Sequence, residues 1–208
     1  MNNPFFSVIV PEHNAEEYMR KGLDSIKAQT FTDYELIIVC DSCTDHTAEI
    51  AKEYTDKVFE IEAGRCAHAR NKGLDEAQGE WVLFMDDDDY FYDEFVFELI
   101  AEYVDPKIDV LAFDFIWGER GYTTCTKNQV WTAVWNKAWR RDFLEEIGAR
   151  FPDWAHSDDD GFNKYCLPKA RVSILNMGLY YYNFLRPGSL TWQMQKGLIS
   201  WDFPGRAE

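Results

Sequence analysis

No run of 18 apolar residues occurs in the 208-residue chain. No segment therefore has the length and hydropathy of a membrane-spanning helix. Nothing at the start reads as a signal peptide, so a soluble cytoplasmic protein is the expectation. Positive charge is scarce. Lys and Arg number 21 against 37 Asp and Glu, a net charge of −16. Nucleic acid is poorly matched as a partner, because phosphate contacts need clustered Lys and Arg. Simple electrostatic attachment to an anionic membrane is disfavoured for the same reason. Cysteine is sparse and irregular: Cys40, Cys43, Cys66, Cys125 and Cys166, an odd count. Cys40 and Cys43 form a C-x-x-C, a redox or zinc half-site, but no second C-x-x-C completes a structural zinc site. Reduced thiols are expected. The chain also lacks repeats, low-complexity tracts, an interdomain linker and the Gly-rich basic loop that cradles phosphates in many nucleotidyltransferases.

What is present is a core. With 46% apolar and 16% aromatic residues, the chain can bury a substantial interior as one domain spanning 1–208. Its organising stretch is Trp81-Val82-Leu83-Phe84-Met85-Asp86-Asp87-Asp88-Asp89-Tyr90. The apolar half predicts a buried strand, and the acidic half then sits at its carboxyl end, where ligands bind in open α/β sheets. Four adjacent carboxylates repel one another. Solvent offsets them in a plain acidic turn; a hard divalent cation with phosphate oxygens in its shell would do so in a site.

Around that stretch the first 90 residues alternate strand and helix. Apolar runs predict strands at 7–10, 35–39 and 58–61, with helices over about 14–29, 47–54 and 67–77. Asn14 with Glu17 suggests a capping box, and Gly79 a stop. The alternation implies a mainly parallel sheet flanked by helices, with the loops near Pro11, Asp41 and Asp86 on one edge. The second half is less regular. Helix is predicted over 95–103, strands over 109–116, 122–126, 172–175 and 179–184, and a turn over 118–121. Trp131, Trp135 and Trp139 are spaced by four, as on one helical face. Asp142 with Glu145 suggests another capping box, and Gly148 a stop.

Several segments, in order from about 7 to 190, resemble a family 2 glycosyltransferase of the GT-A fold. Ser7 to Asn14 resembles S-V-I-V-P-x-Y-N, and Leu23 to Thr30 resembles L-x-S-I-L-x-Q-T. Cys40 to Thr47 resembles D-D-G-S-T-D-G-T. Ala69-Arg70-Asn71-Lys72-Gly73-Leu74 matches A-R-N-x-G-L, and Ala77 to Glu80 matches A-x-G-E. Phe84 to Tyr90 resembles the D-x-D region. Asn136 to Leu144 resembles N-K-L-Y-R-R-D-F-L, Asp158 to Phe162 resembles E-D-x-x-F, and Tyr181 to Ser189 resembles Y-Y-x-x-x-R-x-G-S. His13, Cys40, Ser42, Cys43 and Asp158 depart from the pattern.

The resemblance implies a Rossmann-like GT-A sheet. Its nucleotide-sugar half would be about 1–90, a smaller mixed acceptor and catalytic half about 91–190, and a tail 191–208. It implies a UDP-sugar donor, Mn²⁺ or Mg²⁺, and a saccharide or lipid-linked saccharide acceptor, with any membrane contact made through a partner. Asp88 and Asp86 would hold the metal. Pro11, Glu12, Asn14, Asp41, Arg70, Asp86, Asp87 and Arg186 would form the donor site, with Asp41 accepting a uracil N–H. Asp159 would be the general base, Asp158 its understudy. Asp89 would orient the site, and Arg186 with Ser189 would close over the diphosphate. Plainer assignments stand beside these: Asp41 as a turn residue, 158–160 as a helix start, Arg70 in a surface ion pair, His156 as a partly exposed histidine and the Trp stripe as core. A nucleotide-sugar-binding protein without transfer activity, or a sugar-nucleotide hydrolase, is the rival function.

Overall fold

A computed structural model describes residues 3–117, 121–125, 132–154, 157–184 and 186–198. Its frame is one sheet of the nine described strands. In chain order these are β1 (Phe6–Glu12), β2 (Tyr34–Asp41), β3 (Val58–Ile61), β4 (Trp81–Phe84), β5 (Tyr90–Phe91), β6 (Val110–Trp117), β7 (Gly121–Thr123), β8 (Lys137–Arg140) and β9 (Val172–Tyr182). The spatial order is β3-β2-β1-β4-β8-β6-β9-β5, with β7 paired to β6. The helices are α1 (Met19–Lys27), α2 (Thr47–Ala51), α3 (Cys66–Glu76), α4 (Val96–Tyr103), α5 (Arg141–Glu146), α6 (Asp158–Cys166) and α7 (Leu190–Gln195).

The parallel half follows from the sequence. β1 pairs in parallel with β2 and β4, and β2 with β3. Every residue of β1 is buried, Ser7 and Glu12 included, because both faces of the strand are covered. Phe6, Val8 and Val10 enter one core cluster with Met19, Leu23 and Ile26 of α1; Ile9 enters the other. Gly22 is needed on α1: a Cβ there would lie 2.6 Å from the Asp89 carbonyl oxygen. The helix therefore packs directly against the acidic turn.

The second half makes the sheet mixed, as the resemblance implied: β4–β8, β6–β8, β6–β7 and β5–β9 are antiparallel and β6–β9 is parallel. Individual elements of both halves depart from expectation. The acceptor half extends the same sheet. Trp139 lies in β8 opposite Val82, so pairing on both sides overrides the four-residue spacing that suggested a helix. Trp135 is buried in the core ahead of β8, and Trp131 lies outside the described residues. The two strands expected over 172–184 are one, β9, whose register against β6 jumps from Phe113↔Leu175 to Asp114↔Gly178. The residues at 176 and 177 interrupt the alternation without ending the strand. Finally, neither capping box forms. α1 begins at Met19, with Asn14 at φ +48, and α5 begins at Arg141; neither has a side-chain cap. α2 ends at Ala51, short of Tyr54. Gly148, at φ +63, does follow α5 as a stop.

Asp109 ties β6, β8 and β9 together. Its Oδ1 accepts from Arg140 Nη2 at 2.5 Å and Arg171 Nη2 at 2.7 Å; its Oδ2 accepts from the Arg171 backbone N–H and Nε at 2.8 Å. The Arg171 hydrogen bonds hold this carboxyl well below the usual carboxylate range, against the opposing effect of burial. Asp109→Ala is expected to cost about 2 kcal/mol by denaturant unfolding, less than a fully buried pair because Arg171 is half in solvent. The depressed value makes this contribution complete above the unfolded-state value near ~4 and lost as the pH falls below it. An unchanged unfolding midpoint at pH 7 would exclude this role.

Candidate active site

The loops after β1, β2 and β4 meet at one sheet edge and, with the start of α6 and the end of β9, line a cleft of about 960 Å³. That is the upper end of the range for small-molecule sites. Pro11, Glu12, Asp41, Arg70, Asp86, Asp87, Asp88, Asp158, Asp159, Arg186 and Ser189 all line it. Of the expected donor residues, Asn14 does not. Its Oδ1 instead accepts from Thr44 N–H at 2.8 Å, tying the loop after β1 to the loop after β2. Phe162 is core, and His156 lies outside the described residues.

Arg70 is the junction. It projects from α3 with its side chain only 5% exposed. Nη2 donates to Asp86 Oδ1 at 2.6 Å, and Nη1 donates to Asp158 Oδ2 at 2.7 Å and Asp159 Oδ1 at 2.6 Å. One guanidinium thus joins the acidic run after β4 to the first turn of α6, 88 residues away in sequence. A surface ion pair is excluded as its description. Asp159 Oδ2 also accepts from Val134 N–H at 3.2 Å. Burial pushes the Asp159 carboxyl up to about 7, Arg70 pulling against it.

The acidic run divides by environment. Asp89 is buried beneath the cleft, accepting from Tyr180 Oη and Asn183 N–H at 2.8 Å; burial, then Asp88, raises it well above the usual range. It braces the turn. Burial and the neighbouring Asp88 push Asp87 up to about 8. Burial also raises Asp88, although Arg186 Nε donates to its Oδ2 at 2.6 Å. The Arg186 guanidinium lies 3.9 Å from the centre of the Tyr18 ring, and Tyr18 Oη donates to Asp87 at 3.4 Å. Glu12 is the least compensated acid: both carboxylate oxygens are buried without a hydrogen-bond partner, and burial and Asp87 raise it strongly. The acids here are thus short of positive charge and offer hard oxygen donors, which suits Mg²⁺ or Mn²⁺. Among the described residues no group of three or more such side chains forms a ready-made metal cage. A cation held by Asp88 and Asp86 would take the rest of its shell from a ligand's oxygens.

Asp41 is more occupied than expected. Its Oδ1 accepts from Ala63 and Gly64 N–H and its Oδ2 from Arg65 N–H, each at 2.8 Å, with Ser42 Oγ also on Oδ1. Burial would raise it, but these donors bring it below the usual range. It fixes the loop that enters α3 as well as facing the cleft. Cys40 and Cys43, like the other three cysteines, are free thiols. The sequence marks Tyr18 only as part of the apolar face of the first helix and Tyr180 only as part of a strand, although alternation along β9 points Tyr180 inward.

A family model for glycosyl transferase family 2 matches residues 7–170, most of the chain. The chain belongs to glycosyl transferase family 2. Its relatives include the glycosyltransferase GlyA of Streptococcus pneumoniae serotype 4, 31% identical over 89% of this chain and 31% of that protein. Another is the poly(ribitol-phosphate) beta-N-acetylglucosaminyltransferase TarS of Staphylococcus aureus, 31% identical over 88% of this chain and 36% of TarS. The chain thus spans about a third of these curated relatives. A crystal structure of S. aureus TarS 1–349 in complex with UDP-GlcNAc superposes with a TM-score of 0.76 at 28% identity, covering 85% of this chain and 58% of that one. The family 2 fold is the GT-A architecture that the motifs implied. Among the described residues no helix is long and apolar enough to cross a membrane.

Proposed function

We propose that this family 2 domain is an inverting glycosyltransferase, moving a sugar from a UDP-linked donor to a hydroxyl of a saccharide or lipid-linked saccharide. The observation that carries this is Arg70, which joins Asp86 after β4 and Asp159 of α6 in one cleft. A transferase needs an acid that handles the donor and a base that handles the acceptor within one ligand's length. TarS, which shares the fold, was crystallised with UDP-GlcNAc, and this favours a uridine donor here.

In this mechanism Asp159 accepts the acceptor hydroxyl's proton as that oxygen attacks the anomeric carbon. Asp158, on the same guanidinium, keeps Arg70 in place. Direct displacement inverts the anomeric centre, so an α-linked donor gives a β-linked product. Pro11 and Asp41 line the base side, and Asp86 faces the ribose. Arg186 leaves Asp88 for the diphosphate. A divalent cation on Asp88 and Asp86 would supply positive charge for the departing nucleotide diphosphate. The acceptor is met in the cytoplasm, and any membrane contact is made through a partner.

Calorimetric titration with UDP tests the donor site. Binding is expected to need Mn²⁺ or Mg²⁺ and to weaken at least ~10-fold in Asp88→Ala. No UDP binding with or without metal would sink the uridine assignment. Binding with no glycosyl product from any acceptor would favour the non-catalytic rival.

A further inference from the structure

We infer that the acceptor-side wall of the cleft, built on Trp117 and Tyr182, takes the apolar face of an uncharged sugar ring, so that the acceptor is a neutral glycan rather than a polyol phosphate. The inference rests on the transferase reading above.

The wall comes from strand register. Trp117 and Tyr182 are paired residues at the ends of β6 and β9, and both line the cleft half-buried. Their rings are packed among other aromatics of the same cleft. Phe184 meets Trp117 at 4.6 Å between ring centres, Tyr182 meets Trp117 at 5.8 Å, and Trp135 stacks on Tyr182 at 5.1 Å and 30°. Rigid aromatic rings at a cleft suit ligands with one apolar face and polar edges, because the ring buries the C–H face and leaves hydroxyls at the rim. A pyranose is such a ligand. The wall is also fixed relative to the base: Asp159 accepts from the N–H of Val134, the residue before Trp135.

Charge argues in the same direction. The described lining residues include eight acids against four Lys or Arg, and each of the four is matched to a carboxylate. Arg65 faces Asp153 at 3.2 Å, Lys164 faces Asp160 at 2.6 Å, Arg70 is held by its three acids, and Arg186 sits on Asp88. In the reading above Arg186 serves the donor diphosphate. A phosphate-bearing acceptor would enter a cleft whose acids outnumber its Lys and Arg two to one, and like charges select against it.

The test measures UDP release with Mn²⁺ and UDP-GlcNAc, UDP-glucose or UDP-galactose. Chitobiose, lactose and cellobiose are compared with a ribitol 5-phosphate oligomer as acceptors. Wild type, Trp117→Ala and Trp117→Phe are used, with UDP affinity measured by calorimetry as the control for folding and for the donor site. A neutral disaccharide is expected to stimulate release above the water background. Trp117→Ala should raise its KM about 10-fold with UDP affinity within about two-fold, and Trp117→Phe should restore most of it. Stimulation by the ribitol phosphate oligomer in place of the neutral sugars would overturn the inference. So would an unchanged KM in Trp117→Ala, or UDP binding with no stimulation by any neutral sugar. Failure of the wild type to bind UDP would instead overturn the uridine-donor assignment beneath it.

Discussion

Asp159→Asn is expected to lower sugar transfer by about 10³-fold, within the range of a lost general base, while UDP binding stays within about two-fold. The substitution keeps the side chain's shape, so Arg70 retains an oxygen to donate to. With that oxygen kept for Arg70, the weaker acceptor contact to Val134 N–H at 3.2 Å is given up along with the proton acceptor. The same residue sets a pH dependence. Burial pushes the Asp159 carboxyl up to about 7, and the base acts only when ionised. The rate should therefore fall roughly tenfold per pH unit below ~7 and level off above it. Asp159→Asn should have no such limb. A wild-type rate that is flat from pH 5 to 8 would place the base elsewhere, as would a variant that keeps full turnover.

Arg70→Met should be the most damaging change to stability. It leaves Asp86, Asp158 and Asp159 facing one another around a buried space with no counter-charge. Breaking a buried ionic cluster by removing one partner costs roughly 3–5 kcal/mol. For a chain of this length that corresponds to a melting point lower by roughly 10 °C. The deficit should shrink as the pH falls, because protonated acids need no counterion. Transfer should fall with it, since Asp159 loses the donor that orients it. Arg70→Lys keeps the charge but lacks the fork that reaches three carboxylates, so it should recover part of the stability and little of the rate. An Arg70→Met protein as stable as wild type would mean that the cluster does not bear on the fold.

The parallel half was legible because its signals are local. Val8-Ile9-Val10 and Leu36-Ile37-Ile38-Val39 are unbroken apolar runs between turn residues, and chain order makes them neighbours. The mixed half was legible only in part: α4 and β6 fall where the sequence put them, but β8 and β9 do not. β8 is four residues long, and only its pairing with β4 and β6 makes it a strand. The interruption in β9 hid one long strand as two. In the site, ordered motifs pointed to the residues that line the cleft. Their partners were out of reach: nothing in the sequence joins Arg70 to Asp159, or Tyr180 to Asp89, across 89 and 91 residues. Asn14 was placed with the donor site by its motif, yet its amide oxygen is spent on the neighbouring loop.

β4 hydrogen-bonds β1 on one side and β8 on the other. The strand that feeds the acidic run is therefore also the seam between the two halves. A clamshell enzyme closes by rotating two lobes about a linker, but here the linker is a row of sheet hydrogen bonds. The plate cannot fold along that line without breaking β4 itself. Gripping and releasing the donor must be done by pieces that stand above the plate. Arg186, seated on Asp88 and stacked over Tyr18, is the piece whose displacement would register that a nucleotide has arrived.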